Sequence, residues 1–161
     1  MNLIYKGDVD VTISHKKRKL KNNGTEYLFK IFTHMVTGGV VPHTMLPCYL
    51  MLYKRNQASI CNSPLTEEHT GSELLTNFVI LHKYTINEDS TYAAVFDTNI
   101  TPEYKASLSV SRDEPITLAL ISQDKTSILA AVPFEYDDYT YLESGNSAII
   151  KWTIYLTNEA S

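Results

Sequence analysis

The sequence predicts a mainly β protein: a two-sheet antiparallel β-sandwich, Ig-like or jelly-roll in topology, with one short amphipathic helix near residues 25–37. Three observations carry that reading. Apolar and polar residues alternate with a period of two in several segments, the spacing of a strand with one wet face. About eight such segments follow one another at roughly ten-residue intervals, separated by turn residues. Only the stretch from Thr25 to Val36 repeats with the period of a helix.

The first segment sets the pattern. Leu3 and Tyr5, then Val9, Val11 and Ile13, fall two residues apart, with Asp8, Asp10 and Thr12 between them. Lys16-Lys17-Arg18-Lys19-Leu20-Lys21 follows and reads as a basic turn, closed by the turn or helix-entry signal Asn22-Asn23-Gly24. Thr25 then suits the N-cap, accepting a backbone hydrogen bond, and Glu26 suits the positive end of the helix dipole. Leu28, Ile31, Phe32, Met35 and Val36 form one apolar stripe, and Gly38-Gly39 ends the helix. Such a helix, about three turns long, suits a lid packed on a sheet.

From Met45 onward the pattern is that of strands. Leu46–Tyr53 is apolar on both faces, which points to a central strand with Pro47 at its start. Residues 55–76 are polar and turn-rich and read as a long loop. Further strands are expected at 77–86, 91–100, 104–110, 116–122, 127–134 and 147–156. The last is the clearest: Ile150, Trp152, Ile154 and Leu156 point one way, Lys151, Thr153 and Tyr155 the other. The short links 87–90 and 123–126 suit antiparallel neighbours.

Length and composition agree with one domain, residues 1–161. A chain of this size buries roughly 68–70% of its unfolded surface and needs no metal or disulfide staple. No apolar run approaches the roughly 18–20 residues that cross a bilayer, so no membrane partner is expected. The N-terminus, MNLIYKGDVDVTISHKK, lacks the pattern of a secretory signal, which points to synthesis in a cytoplasm. Cys48 and Cys61 belong to no metal-binding pair and are expected to be reduced. The net charge of −4 argues against nucleic acid as a partner.

The five histidines are scattered, and no nucleophile, phosphate-loop or paired-carboxylate motif occurs, so neither catalysis nor a cofactor is expected. Two charged segments stand out instead as contact surfaces. Lys16, Lys17, Arg18, Lys19 and Lys21 are five of the fourteen basic residues, either a solvated hairpin end or a patch for an acidic partner. The acidic segment 135–143 contains Tyr136, Asp137, Asp138, Tyr139 and Tyr141, and reads as a loop whose tyrosines are free for contact. Opposite signs suit these two segments to a head-to-tail contact between copies.

Two stretches carry a family resemblance. One is Lys21-Asn22-Asn23-Gly24-Thr25-Glu26-Tyr27-Leu28-Phe29-Lys30-Ile31-Phe32, where a hairpin leads into a short amphipathic helix. The other is the ending from Ser144 to Asn158, with Gly145-Asn146 before the strand of Trp152. They resemble parts of small β-sandwich structural proteins of tailed bacteriophages, which decorate capsids or build rings and collars at the portal and tail. That resemblance spans about thirty of the 161 residues. It implies a virion component, made in the host cytoplasm, that assembles with other virion proteins and with copies of itself as a homo-oligomer. The rival expectation is a carbohydrate- or receptor-binding module in which Tyr136, Tyr139, Tyr141 and Trp152 stack on sugar rings.

Overall fold

The alternating first segment becomes β1 (Asn2–Ile13), and the last becomes β10 (Ala148–Glu159). Between them lie β2 (Lys16–Lys21), β3 (Asn23–Gly24), α1 (Glu26–Val36), β4 (Pro47–Tyr53), β5 (Val79–Ile80) and β6 (His82–Glu88). They are followed by β7 (Thr91–Ile100), β8 (Ile116–Ser122), β9 (Ile128–Phe134) and α2 (Tyr136–Glu143). This computed structural model describes residues 2–13, 16–21, 23–54, 79–88, 91–101, 110–143 and 148–159. The polar segment 55–76 and most of the strand expected at 104–110 lie outside those residues.

Two five-stranded sheets result, every neighbour antiparallel. Sheet A has the order β2-β1-β10-β7-β6 and sheet B the order β3-β9-β8-β4-β5. The expected two-sheet sandwich is therefore the fold. β10 pairs along its length with β1, from Ala148↔Ile13 to Glu159↔Asn2, and on its other side with β7. Its inward residues Ile150, Trp152 and Ile154 are buried as their alternation predicts, and Phe96 stands opposite Trp152. Ile149, on the other face, is exposed.

Sheet B is the more deeply enclosed. Every residue of β8 is buried, and every residue of β9 except Pro133. A strand buried at consecutive positions has both faces covered, which accounts for the continuous apolar runs ITLALIS and ILAAV. α1 packs against β9 and β3, and its Leu28 and Ile31 join the core that Trp152, Leu118 and Leu52 share. An isolated eleven-residue helix is marginal in water. Burying two such side chains contributes about 1.5–3 kcal/mol each, which makes docking, not propensity, what holds α1.

Several local expectations change. The basic segment Lys16–Lys21 is not a turn but edge strand β2, held in register by β1. The strand expected at 77–86 divides at Leu81: β5 pairs with β4 in sheet B, and β6 pairs with β7 in sheet A. Leu81 is the pivot, its side chain buried and its N–H donating to the Cys48 carbonyl at 2.9 Å. Met35 and Val36, placed by the sequence in the apolar stripe of α1, are 61% and 82% exposed. Only the N-terminal half of that stripe reaches the core.

The ends of α1 have separate physical causes. Thr25 occupies the N-cap but makes no capping bond with its side chain. Its hydroxyl instead points between the carbonyls of Ile128 (2.6 Å) and Leu129 (3.1 Å), and its N–H donates to Leu129 O at 2.9 Å. Fully buried, Thr25 rivets the helix to β9. At the other end, the N–H of Gly39 reaches His34 O and that of Gly38 reaches Met35 O, the paired bonds of a Schellman motif. Gly38 takes the left-handed backbone this motif requires, with φ of 77°.

The β8–β9 hairpin is set by Asp124. One carboxylate oxygen accepts from the Ser122 hydroxyl (2.6 Å), the Thr126 hydroxyl (2.7 Å) and the Thr126 N–H (3.0 Å). Partial burial opposes the charge, but these donors outweigh it and hold the carboxyl below its ordinary range.

Two outcomes follow. Thr25→Val keeps the shape but loses the buried hydroxyl donor, and should cost about 1–2 kcal/mol in urea denaturation with an unchanged m value. Asp124 is depressed in the folded state, so its stabilisation is complete above the unfolded carboxyl pKa and vanishes as pH falls through the lower folded value. Asp124→Asn should therefore destabilise at pH 7, by about 0.5–1 kcal/mol after solvent screening, and the gap from the parent should close near pH 2.

Candidate functional site

The basic segment finds its first partners within its own sheet. Lys19 stands opposite Asp10, Asp10 opposite Lys151, Lys151 opposite Asp97, and Asp97 opposite His82. One row of alternating charge thus crosses β2, β1, β10 and β7 of sheet A and ends at His82 on β6. At its far end His82 Nδ1 lies 3.5 Å from Asp97 Oδ1, and Lys17 at the near edge is exposed. In the next row Lys21 stands opposite Asp8. Lys16 and Arg18 share β2 with them, opposite Ile13 and Val11. Opposite charges at facing positions contribute about 0.2–1 kcal/mol per pair. The arrangement that would join this patch to residues 135–143 of another copy therefore competes with pairs already supplied by β1.

The acidic segment is likewise different from its expected form. Tyr136–Glu143 is helix α2, not a loop. Tyr139 is 1% exposed and belongs to the core, so it is withdrawn from the contact surface. Asp137 is exposed and lies 3.6 Å from Arg112, whose guanidinium stands 6.0 Å from the centre of the Tyr136 ring. Asp138 and Tyr141 lie on α2, but their side chains fall outside the described residues. The sequence held a signal for this helix: Tyr136 and Tyr139 three residues apart, with two aspartates in a first turn that favours negative charge. The sugar-stacking arrangement also loses members, since Trp152 is fully buried along with Tyr139.

A shallow groove of about 330 Å³ lies beside α2, lined by Glu114, Pro115, Ile116, Pro133, Phe134, Glu135 and Tyr136. Its Glu114 accepts from the Ser111 N–H at 2.9 Å and meets Lys54 Nζ at 3.2 Å. Those two contacts, the backbone bond first, lower its carboxyl pKa. Glu114 is thus a brace for the chain entering β8. Across the sheet, burial and then its neighbour Cys48 raise the pKa of Tyr49, and the Lys125 ammonium stands 5.1 Å from the Tyr49 ring. No three His, Cys, Asp or Glu residues gather as metal ligands among the described residues.

The open face of α1 is a site the charged motifs hid. Phe29, Lys30, Thr33, His34 and Thr37 line a groove of about 410 Å³. Phe29 is 48% exposed, and Met35 and Val36 in the last turn of α1 and Val40 beyond it are exposed as well. The threonines contribute to it. The Thr33 hydroxyl donates to Phe29 O and the Thr37 hydroxyl to Thr33 O, each at 2.9 Å. With their hydroxyls returned to the helix backbone, both residues offer methyl groups to the outside. Lys30 and His34 give the rim its basic character, Lys30 Nζ lying 5.1 Å from the Tyr27 ring.

Comparison with protein families, with curated proteins and with solved structures found no match. The charge row offers a direct check. Lys151 stands between Asp10 and Asp97, so Lys151→Glu sets like charges across both strand pairs. It should lower stability by about 1 kcal/mol at low ionic strength, and 0.5 M NaCl should recover much of the loss in thermal denaturation.

Proposed function

We propose that this protein is a non-enzymatic assembly protein whose work is to hold protein–protein contacts in a larger particle. The setting implied by its resemblance to small β-sandwich phage proteins is the virion of a tailed phage, on the capsid or around the portal and tail. The observation that supports the reading is exposed apolar surface at the end of α1, where Met35, Val36 and Val40 are 61%, 82% and 91% exposed. Exposed apolar side chains grouped at one place suit contact with a partner. The rim of Lys30 and His34 suits a partner with an apolar ridge flanked by carboxylates.

The test uses Met35→Ser with Val36→Ser. Both side chains are exposed, so stability should stay within about 0.5 kcal/mol of the parent. Mass spectrometry of purified virions should find the parent chain at a fixed ratio to the capsid protein and the double variant depleted at least about tenfold. Absence of the parent chain from virions would overturn the setting. Unchanged incorporation of the double variant would overturn the role of α1.

A further inference from the structure

The two edges of sheet A are chemically unequal, and the difference decides how the sheet can grow. β2 reads Lys-Lys-Arg-Lys-Leu-Lys. Any pairing of β2 with a second β2 sets cation against cation, which is a standard way to blunt an edge. β6 reads His-Lys-Tyr-Thr-Ile-Asn-Glu, and six of its seven residues are exposed. Its only strand partner among the described residues is β7. Alternate residues of such an edge aim their N–H and C=O groups away from the sheet.

From this edge we infer that β6 is the dimerisation edge of the protein, pairing antiparallel with β6 of a second copy about a two-fold axis at Thr85. A two-fold contact must be self-complementary, because each residue of one copy meets its mirror position in the other. Centred on Thr85, the sequence meets that condition at every step. His82 faces Glu88 of the second copy, Lys83 faces Asn87, Tyr84 faces Ile86, and Thr85 faces Thr85. These are an imidazole–carboxylate pair, a lysine–amide pair, an aromatic–β-branched pair and a threonine pair, the last two being classes that stabilise facing strands. Shifting the centre to Tyr84 or to Ile86 breaks the set, since neither register pairs His82 with Glu88.

The fold supports this geometry. His82, Tyr84 and Ile86 share one face of β6, as their partners Asp97, Val95 and Ala93 do on β7, and the His82 and Tyr84 rings lie 6.0 Å apart. Tyr84 is 37% exposed beside fully buried Val95, so pairing would extend an apolar strip already begun within the sheet. Sheet A would become a continuous ten-stranded sheet, ending at both sides in the lysine-rich β2. The assembly is closed: a dimer, not a fibre.

Seven residue pairs supply about six to eight backbone hydrogen bonds over roughly 24 Å. That is less than a standard interface, which sets the expected Kd on the order of 10 µM. The inference does not depend on the virion reading, since it concerns the purified chain alone.

Sedimentation of the pure protein from about 1 to 500 µM should show a monomer–dimer equilibrium. His82→Glu alone should weaken it about tenfold or more, because carboxylate then faces carboxylate at both ends, and Glu88→Lys alone should weaken it by removing the carboxylate that faces His82 at both ends. An equimolar mixture of the two variants should associate again, with the introduced lysine facing the introduced glutamate and the native His82 facing Glu88. Thr85→Cys should cross-link on oxidation, since facing Cβ atoms lie about 5 Å apart. Lys83→Cys should not, because two such positions are about 13 Å apart in this register. A monomer at every concentration, failure of the mixture to associate, or equal cross-linking at 83 and 85 would overturn the inference.

Discussion

Sheet A exists in its observed order only because the last strand inserts between the first and the seventh. β10 is hydrogen-bonded to β1 on one side and to β7 on the other, so without it the sheet falls into two hairpins. Trp152 sits midway, opposite Val9 and Phe96, fully buried against sheet B. The consequence is topological as well as energetic. Contacts between the two ends of the chain carry a large closure entropy, recovered only once β10 docks. The charge row depends on the same event, because Lys151 is the link between Asp10 and Asp97.

A second constraint sets which edges remain open. The chain changes sheets at Leu81, whose buried side chain and bond to Cys48 O keep it with sheet B while His82 onward joins β7. This places β6 at the outer edge of sheet A and leaves β5 as a two-residue edge of sheet B. β3, also two residues long, ends sheet B on the other side, where α1 follows it. Short edges offer little for a foreign strand to pair with. Among the described residues sheet B thus ends in short edges, β2 is blunted by charge, and β6 is left.

The parts of the fold legible in the sequence are those with a local cause. β8, β9 and β10 announce themselves because burial of one or both faces writes directly into apolar spacing. The end of α1 was legible for the same reason, since a Schellman motif needs glycine at one position. Thr25 shows the boundary of such reasoning: its position at the N-cap was readable, but its hydroxyl partners lie more than a hundred residues away. Lys16–Lys21 was misread because an edge strand with no apolar demand carries no strand pattern, its identity coming from β1. In α2 the tyrosines looked superfluous to packing until tertiary structure placed Tyr139 in the core.

Density of charge proved a poor guide to where contact capacity lies. Lys19 and Lys21 of β2 stand opposite Asp10 and Asp8 of β1, and Asp137 of α2 lies 3.6 Å from Arg112, so part of that charge is already matched within the chain. α1 presents the opposite case. Thr33, Thr37 and Lys30 make its outer face look polar in the sequence, yet the hydroxyls turn back to the helix carbonyls. What is left outside includes two threonine methyls and the exposed side chains of Met35, Val36 and Val40. Association is driven by surface whose demands the fold leaves unmet. On that ground the exposed end of α1 and the self-complementary edge of β6 are stronger candidates for contact than either charged segment.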